Sequence, residues 1–383
     1  MYDLLKGVRI IDLSTVVLGP YATQLLADMG ADVIKVEPKG GDVFRAARPG
    51  RKGGDGAGFL NVNRNKRSIV LDLTDSADHD ILARLVQTAD VFVHNLRDNS
   101  ASKLGVDYTS IKNYKSDIVF CSARGFGQGK YGDEPAYDDC IQAASGMAWL
   151  NADESGTPRF VRTIICDKVA GLHLAFAIAA GVAAHARTGE GCHIETPMYE
   201  AMASFLLIEQ LSGQSFIPDL PDRGYARLNA AGRRPYPTRD GYVAIMPYTA
   251  AQWRRFLRLI NRDDLADSPL ILNDETRSSE IEKLYELIEK AAPEKSTQEW
   301  LEALRKADIP CAPVNKLEDL PTEPHLAETG YFKTMSHPRE GKLLYASSPF
   351  ASYTAKEMPD RPAPALDADR EEVLSEIQSD DED

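Results

Sequence analysis

"GVRIIDLSTVVLGPYATQLLADMGADVIKVEP", residues 7–38, predicts a strand, a helix and a second strand in succession. Apolar runs rich in β-branched residues at its two ends predict the strands. Pro20 near the start and Gly30 at the end of the middle segment are typical of a helix. Two strands joined through a helix pair in parallel with a right-handed crossover, so this stretch indicates an α/β fold.

The same alternation continues over about the first half of the chain. It predicts a doubly wound parallel sheet, with a helix at HDILARLVQTA (79–89) and further strands at RSIVLDL (67–73), DVFVHNL (90–96) and DIVFCSARGFG (117–127). Ligands of such sheets bind in the loops that follow the carboxyl ends of the strands. We therefore expect one rim formed by Thr15–Gly19, Pro38–Asp42, Asn95–Asn99 and Arg124–Gly129.

A second, smaller domain is predicted at about residues 225–315. The segment before it is rich in Gly, Pro and charge, which is typical of a linker. YVAIMPY (242–248) predicts a strand, and amphipathic helices are predicted at TAAQWRRFLRLI (249–260), SSEIEKLYELIEKAA (278–292) and STQEWLEALRKA (296–307). The last helix opens with Ser296 and Glu299 at capping-box spacing.

Composition narrows the functional classes. Of 383 residues, 58 are acidic and 44 basic, and a formal charge of −14 argues against nucleic-acid binding. It leaves room for an anionic ligand in a local basic pocket. Five widely spaced Cys without metal-ligand spacing indicate reduced thiols in a cytoplasmic protein that holds no metal. No signal peptide is apparent, and Val169–Ala186, which contains His173 and His185, predicts a buried helix rather than a membrane span.

Several familiar catalytic motifs are missing from the sequence. The first strand–helix turn lacks GxGxxG, although Glu37 ends the second strand, where a ribose-binding acid would stand. GFGQG (125–129) is either a phosphate loop or a plain turn. Neither a GxSxG elbow nor a His-Glu-x-x-His pair occurs, so a serine hydrolase and a zinc peptidase are not indicated.

One acidic residue, Asp167, stands at the entrance to an apolar stretch in RTIICDKVAGLHLAF (162–176). It is either a helix cap or a nucleophile, and the local pattern alone favours the cap. The neighbouring Cys166 is the competing nucleophile. Because no His or other base stands next to it in sequence, a buried structural Cys is the better interpretation.

The chain resembles the family III CoA-transferases, the group that includes formyl-CoA:oxalate CoA-transferase. The same superfamily includes α-methylacyl-CoA racemase. The matching stretches follow the family order over nearly the full length: Ile10–Leu13, GPYATQLLADMGADVIKVE (19–37), NRNKRSIVLDL (63–73), ADVFVHNLRDNS (89–100), SARGFGQ (122–128), AYDDCIQAASG (136–146), CDKVAGLHLAFAIAAGVAAHARTGEG (166–191) and IPCAPV (309–314).

The resemblance implies an architecture. A Rossmann-like large domain with a parallel sheet would comprise residues 1–200 and 331–383. A smaller inserted α/β domain would occupy residues 225–315, with linkers at 201–224 and 316–330. In this family, two ring-like chains of that kind thread through each other as an interlaced homodimer.

The resemblance also implies a reaction. Asp167 in Asp167–Gly171 matches the family's nucleophile, which carries CoA from an acyl-CoA donor to a carboxylic acid through an aspartyl anhydride and an aspartyl-CoA thioester. CoA is then a substrate, and neither a metal nor a redox cofactor is required. Succinyl-CoA or another dicarboxylic acyl-CoA is the expected donor, and small carboxylic acids are the expected acceptors. Oxyanions would be held by backbone N–H groups of a glycine-bearing loop.

The CoA contacts implied by the matching motifs are Val16, Val17, Leu18, Lys39, Lys66, Asn95, Leu96, Arg97, Lys103 and Tyr137. Arg97 is the expected phosphate partner among them. For Lys66 and Lys103, a solvated surface charge is an equally good interpretation.

The chain departs from formyl-CoA transferases at several positions. Val17 stands in place of a Gln and Pro38 in place of an Arg, PALDADREEVL (364–374) replaces a Gly-Glu-His pattern, and NAAGRRPYP (229–237) replaces a glycine-rich loop. Arg233 and Arg234 of that segment either bind a second substrate carboxylate or are surface charges.

Two other functions stay open on the sequence alone. One is an acyl-CoA racemase or isomerase using acid–base chemistry, although Tyr137 replaces the His that racemases of this superfamily carry. The other is a non-catalytic acyl-CoA binding protein of the same fold.

Overall fold

A computed structural model describes residues 1–379 of the chain, so residues 380–383 of the predicted large-domain segment lie outside the described residues. The chain forms two compact units. The large unit comprises Met1–Leu206 and the described residues from Glu328 onward, and the small unit comprises Leu207–Ala327. Most of both predicted linkers therefore belongs to the small unit.

The large unit is built on a six-stranded sheet whose strands are all parallel. The strand order is β3-β2-β1-β4-β5-β6, the arrangement of Rossmann-type sheets, in which the chain reverses direction across the sheet between β1 and β4. The strands are β1 (Arg9–Asp12), β2 (Asp32–Glu37), β3 (Lys66–Val70), β4 (Val91–His94), β5 (Val119–Arg124) and β6 (Cys192–Pro197). The parallel α/β sheet predicted from the sequence is confirmed.

Helices cover both faces of this sheet. They are α1 (Leu18–Asp28), α2 (Ala57–Val62), α3 (Ser76–Gln87), α4 (Asp98–Lys103), α5 (Tyr108–Tyr114), α6 (Asp138–Ala144), α7 (Met147–Leu150), α8 (Ile165–Thr188) and α9 (Met198–Gln210). One core cluster joins α1 and α8 to the sheet through residues such as Leu25 and Leu174, and a second joins α3 and α5 to the opposite face through residues such as Leu85 and Ile111.

The small unit combines a three-stranded antiparallel sheet, in the order β7-β8-β9, with short helices. Its elements are α10 (Ala226–Asn229), β7 (Tyr236–Pro237), β8 (Tyr242–Ile245), α11 (Ala250–Leu259), α12 (Asp263–Ala266), α13 (Pro269–Leu272), α14 (Asp274–Ser279), α15 (Ile281–Ala291), α16 (Thr297–Lys306), β9 (Cys311–Pro313) and α17 (Pro324–Glu328). The capping box of Ser296 and Glu299 is formed at the start of α16, as the spacing predicts.

The chain then returns to the large unit as an antiparallel hairpin and a last helix, which the sequence pattern did not indicate. These are β10 (Phe332–His337), β11 (Gly341–Ala346) and α18 (Arg370–Ser379). Val373 and Ile377 of α18 are buried in the core cluster that also contains α3 and α5. The chain end therefore completes one face of the parallel sheet.

Helix α8 is long and apolar enough to span a membrane by length and composition. In the structure, Cys166, Ala170, Leu174 and Ile178 of α8 are buried, and the helix packs against α1, β5 and β6. This is the arrangement of a core helix. Only 33% of the apolar 18-residue stretch within α8 is buried, however, so the helix also presents an exposed apolar face.

Charged residues of the first three strands and of the loop after β2 are buried. Lys66 Nζ lies 3.1 Å from Asp12 Oδ2, and Lys35 Nζ lies 2.9 Å from Asp42 Oδ2, with all four side chains fully buried. Burial raises the pKa of Asp12, but Lys66, Lys35 and hydroxyl hydrogen bonds outweigh it and hold that pKa at about 2. Asp12 is therefore ionised inside the protein.

Glu37, at the end of β2, belongs to the same buried region. Its carboxylate accepts two hydrogen bonds from the Arg45 guanidinium, at 2.7 and 2.8 Å, and another from the backbone of Asp42 at 2.9 Å. Burial raises its pKa, but the Arg45 hydrogen bonds and the charge of Lys35 bring the pKa below the usual value. These hydrogen bonds engage the Glu37 carboxylate, the group that would bind a ribose in a dinucleotide-binding protein.

We predict that replacing Lys66 destabilises the large unit. Lys66→Met leaves the buried Asp12 carboxylate without its ion-pair partner, which typically costs about 3–5 kcal/mol in free energy of unfolding. Lys103→Met, at an exposed site, should change it by less than about 0.5 kcal/mol. Urea unfolding measures both. The double variant Asp12→Asn, Lys66→Met should recover part of the loss, and a fully stable Lys66→Met variant would contradict this view of the pair.

Candidate active site

The loops after β1 and β4 are held together at the point where the sheet reverses direction. The Thr15 N–H donates to Asn95 Oδ1 at 2.9 Å, and Asn95 Nδ2 donates to the Thr15 carbonyl at 2.8 Å. Ligands of doubly wound sheets bind in the crevice formed there. The two loops expected from the sequence therefore meet at one rim.

The next residue in the first loop, Val16, has φ of +68°. This left-handed conformation costs a non-glycine residue about 1–3 kcal/mol, and it is especially unfavourable for a β-branched side chain. The Val16 N–H donates to the Asp42 carboxylate at 3.2 Å, and Asp42 is itself paired with Lys35. The buried ion pair thus stabilises the conformation of the loop.

A cavity of about 260 Å³ opens above this rim in the large unit. It is lined by Thr15, Val16, Val17, Leu18, Val43, Asn95, Ala123, Arg124, Gly125, Ala136, Tyr137, Asp167 and Met198. Asp167, Val16, Val17, Leu18, Asn95 and Tyr137, six of the residues selected from the sequence, are thereby brought together. They come from the ends of β1 and β4 and the starts of α1, α6 and α8.

Two glycines allow the backbones around the cavity to approach closely. A Cβ on Gly19 would lie 2.1 Å from the Ser14 Cβ, and one on Gly171 would lie 2.8 Å from the Leu18 carbonyl oxygen. Gly171 therefore lets α8 pack directly against the start of α1. Asp167 is one turn earlier on α8, so this close packing carries its carboxyl to the cavity.

Asp138 holds the start of α8. Its Oδ1 accepts hydrogen bonds from the Cys166 and Asp167 N–H groups at 2.6 and 3.1 Å, and its Oδ2 accepts one from Gln142 at 2.6 Å. Asp138 therefore caps the helix, and Asp167 does not. Asp138 was not among the site residues predicted from the sequence, because a cap supplied by another helix leaves no local pattern.

The Asp167 carboxylate itself accepts no hydrogen bond from any residue in the described part of the chain. Burial raises its pKa, and the nearby negative charge of Asp138 raises it further, to about 7. A poorly solvated carboxylate without hydrogen-bond donors keeps its lone pairs available. Asp167 is therefore not a helix cap, and its carboxyl group can react with a ligand in the cavity.

Cys166, the competing nucleophile, faces the protein interior. Its side chain is fully buried in the core cluster of α1 and α8. Burial raises the pKa of its thiol to about 12, and the charges of Asp138 and Asp167 act in the same direction. Because the thiolate is the reactive form, this Cys has the properties of a structural residue.

Arg124, at the end of β5, also lines the cavity. Its guanidinium makes two hydrogen bonds to the Asp98 carboxylate, at 2.7 and 2.9 Å, and pairs with Glu195. In the glycine loop that follows, the Gly127 N–H donates to the Glu200 carboxylate at 3.1 Å. The Gly127 N–H, which would donate to a phosphate if this segment were a phosphate loop, thus donates to the Glu200 carboxylate.

The other residues selected from the sequence lie outside the cavity lining. Leu96 packs against the core beside α3 and α5, while Arg97 and Lys103 are exposed at the two ends of α4. Lys39 is exposed and pairs with Asp72 at 2.9 Å. The Lys66 side chain is fully buried. It therefore does not contact a ligand in the cavity, and it is not the solvated surface charge that was the alternative interpretation from the sequence.

Arg233 and Arg234 belong to the small unit. Arg234 pairs with Glu289 at 2.5 Å and both side chains of that pair are about half exposed. Arg233 is exposed and has no ion-pair partner among residues 1–379. No group of three or more His, Cys, Asp or Glu that could hold a metal ion occurs within the described residues.

The model for CoA-transferase family III matches residues 5–370. The chain belongs to CoA-transferase family III. Among its relatives are the succinyl-CoA:glutarate CoA-transferase of Homo sapiens and the succinyl-CoA:mesaconate CoA-transferase of Haloarcula hispanica. The first is 30% identical over 97% of this chain and 86% of the relative, and the second is 32% identical over 97% and 96%.

Other members of the family agree with this assignment. The formyl-CoA:oxalate CoA-transferase of Streptomyces avermitilis is 29% identical over 91% of this chain and 89% of its own length. The crystal structure of a CaiB/BaiF family protein from Brucella suis has a TM-score of 0.83, with 27% identity over 98% of this chain and 100% of that chain. This family III enzyme therefore shares its fold with solved members over nearly the whole chain.

We predict a pH-dependent stability effect at Asp167. Its pKa is about 7 in the folded enzyme, against an ordinary value of 3.8. The folded state therefore holds a proton that the unfolded state releases, and the free energy of unfolding falls as pH rises between these two values. Asp167→Asn should gain stability over wild type, with a larger gain at pH 8 than at pH 5.

Thermal unfolding at the two pH values measures this difference. Asp139→Asn, at an exposed neighbouring carboxylate, serves as the control and should show the same small difference from wild type at both. An Asp167→Asn gain that does not grow with pH would mean that the folded enzyme does not raise this pKa.

Proposed function

We propose that this enzyme transfers CoA from succinyl-CoA, or another dicarboxylic acyl-CoA, to a carboxylic acid, with Asp167 as the covalent nucleophile. The observation that supports this proposal most directly is that the Asp167 carboxyl lines the cavity without a hydrogen-bond partner in the described chain. The named activities of the relatives, which use succinyl-CoA or formyl-CoA, support this reaction class. We also propose a cytoplasmic location, because the five widely spaced Cys residues are typical of reduced thiols.

The proposed sequence has four steps. An Asp167 carboxylate oxygen attacks the thioester carbonyl of the donor, the C–S bond breaks, and CoA leaves as a thiolate. The thiolate attacks the aspartyl carbonyl of the resulting anhydride, which releases the donor acid and leaves an aspartyl-CoA thioester. The acceptor carboxylate then attacks that thioester, the C–S bond breaks with release of CoA thiolate, and a second anhydride forms. CoA thiolate attacks its acceptor carbonyl, which yields the new acyl-CoA and restores Asp167.

No net proton transfer, oxidation or hydrolysis occurs in these steps, so the chemistry requires a positioned carboxylate and oxyanion donors. A pKa of about 7 leaves a substantial ionised fraction of Asp167 at neutral pH. The start of α8 supplies a positive helix-dipole end that favours the anion. We propose that CoA binds along the rim at Val16–Leu18, Asn95 and Tyr137 and continues past Leu96, Arg97, Lys103 and Lys39. In this proposal Lys66 does not contact CoA, and it stabilises the start of the loop after β1 through its ion pair with Asp12.

The isomerase alternative requires two acid–base groups on opposite sides of the substrate α-carbon. Asp167 could supply one of them. Tyr137, which is 76% exposed, stands where the second would be expected. A neutral phenol is a poorer general base than an imidazole. The transferase is therefore the function that we propose.

We predict that Asp167→Asn abolishes transfer and retains CoA binding. The amide keeps the shape of the side chain but lacks the anionic oxygen, so transfer should fall by several orders of magnitude. Cys166→Ala should keep most of the activity, because the buried thiol takes no part. Acyl-CoA exchange can be followed by mass spectrometry, which should also trap an adduct on residue 167 in the wild type.

Two results would contradict this proposal. Near-normal transfer by Asp167→Asn would exclude the covalent mechanism. Rapid deuterium uptake at the α-carbon of an α-methylacyl-CoA, in deuterated water, would favour the isomerase instead. A non-catalytic binding protein would bind CoA and show neither transfer nor exchange.

We further propose that an acid partner of the reaction carries a second carboxylate, as the named substrates of the succinyl-CoA-dependent relatives suggest. Arg233 and Arg234 are the small-unit residues proposed to bind it. Because Arg234 already pairs with Glu289, Arg233 is the one whose guanidinium has no ion-pair partner among residues 1–379. An Arg can hold a carboxylate through two parallel hydrogen bonds.

We predict a selective effect of these arginines on diacids. Arg233→Gln should raise the Michaelis constant for glutarate or succinate by roughly ten- to a hundredfold, the equivalent of losing a charged hydrogen bond of about 1.5–3 kcal/mol. The constant for a simple monocarboxylate should not change, and Arg234→Gln should have the smaller effect. Equal effects on both acid classes, or none, would identify both arginines as surface charges of little energetic value.

We also propose that two copies of this chain assemble as the interlaced homodimer implied by the family. Exposed apolar side chains on the large unit support it, because such patches mark protein–protein contacts. On α8, Leu172 is 49% and Phe176 76% exposed, and on α9 Phe205 is 47% exposed. A second copy of the chain would cover this surface.

We predict that Phe176→Glu prevents dimer formation, because it places a charge in an apolar interface. The wild type should have a solution mass near twice 42.1 kDa by light scattering, and Phe176→Glu should shift toward the monomer. Lys112→Glu, on the exposed face of α5, should stay dimeric. A monomeric wild type, or a fully dimeric Phe176→Glu variant, would contradict the proposed assembly.

A further inference from the structure

The small unit contains a cavity of its own, with a volume of about 260 Å³. Two arginines line it, Arg227 at α10 and Arg277 on α14, together with one acidic residue, Asp274. The lining therefore carries an excess of one positive charge, in a protein whose formal charge is −14. The net charge of the lining is therefore opposite in sign to that of the whole protein.

The Arg227 guanidinium is held in place without a carboxylate partner. Its Nε donates to the Tyr285 hydroxyl at 3.1 Å, and its guanidinium carbon lies 4.3 Å from the centre of the Tyr248 ring. It forms no ion pair with any of residues 1–379. An ordered arginine with no anion beside it is available to an anionic ligand, and its rigid positioning lowers the entropic cost of binding.

Arg277 supplies the second positive charge. Its Nη1 donates to the Ile271 carbonyl at 2.6 Å and its Nη2 donates to Asp274 at 2.6 Å. The Asp274 side chain is 87% exposed, so water screens much of its charge. A ligand carboxylate in the cavity could therefore replace or share this weak partner.

The remaining walls are apolar or aromatic. Trp253 and Ile281 form the inner part of the lining, while Tyr225 and Tyr248 stand at the exposed side. Such walls favour a ligand with a hydrocarbon body over a bare inorganic ion. The volume lies just below the usual range for drug-sized ligands, which indicates a small molecule.

We propose that this cavity binds a small aliphatic organic acid, with a carboxylate on the Arg227 guanidinium and the hydrocarbon chain against the aromatic walls. Arg277 adds a second positive charge to the site. The inference concerns the small unit alone and does not rest on the proposed role of Asp167.

Titration calorimetry of the full-length enzyme in the absence of CoA tests the site, with glutarate and inorganic phosphate as the probes. Glutarate should bind, and Ser278→Asp should weaken it about tenfold, because the new carboxylate in the lining competes for the arginines. Ser279→Asp carries the same charge on the adjacent exposed residue, which does not line the cavity. It should change the affinity by less than about twofold.

Arg227→Gln should weaken glutarate as strongly as Ser278→Asp, and Arg262→Gln, at a surface ion pair with Asp264, should not. If Arg227→Gln fails to fold, the two serine variants decide the question alone. The proposal is overturned if the wild type does not bind glutarate, if Ser278→Asp binds it as the wild type does, or if phosphate binds as tightly as glutarate.

Discussion

Two buried ion pairs, formed by residues of the first three strands and of the loop after β2, constrain the rest of the large unit. Asp12 with Lys66, and Lys35 with Asp42, are fully enclosed, and desolvating such charges is expensive unless each keeps its partner. The geometry that satisfies them also places the Asp42 carboxylate under the Val16 N–H. The loop that forms one side of the active-site cavity is therefore held by charges that never reach the cavity.

The reactivity of the site results from opposing electrostatic effects on one carboxyl group. Burial and the charge of Asp138 raise the pKa of Asp167, while the start of α8 favours its anion. Asp138 has a double effect, because the oxygen that caps the helix also repels the neighbouring carboxylate. The close contact of α1 and α8 at Gly171 then fixes where this carboxyl meets the loop after β1.

Several regular elements of both units, such as β1, β2, α1 and α16, were predictable from the sequence because their signals are local, whereas β6 was not predicted. The alternation of strands and helices from residue 7 onward and the capping box at Ser296 reflect hydrophobic periodicity and short-range hydrogen bonds. The rim loops followed from the rule that parallel strands end on one edge. The hairpin β10–β11 was not predicted from the local pattern, and only the family resemblance assigned residues 331–383 to the large domain.

The sequence by itself determined the fold class, the family and the position of Asp167 at the start of an apolar helix. Tertiary structure alone decided that Asp138 caps that helix, so that the Asp167 carboxylate is left unpartnered. It also decided that Lys66 lies inside the sheet and Arg227 in a cavity, although each is simply a basic residue in the sequence. The physical reason is that the pKa and availability of a charged group depend on burial and on partners distant in the chain.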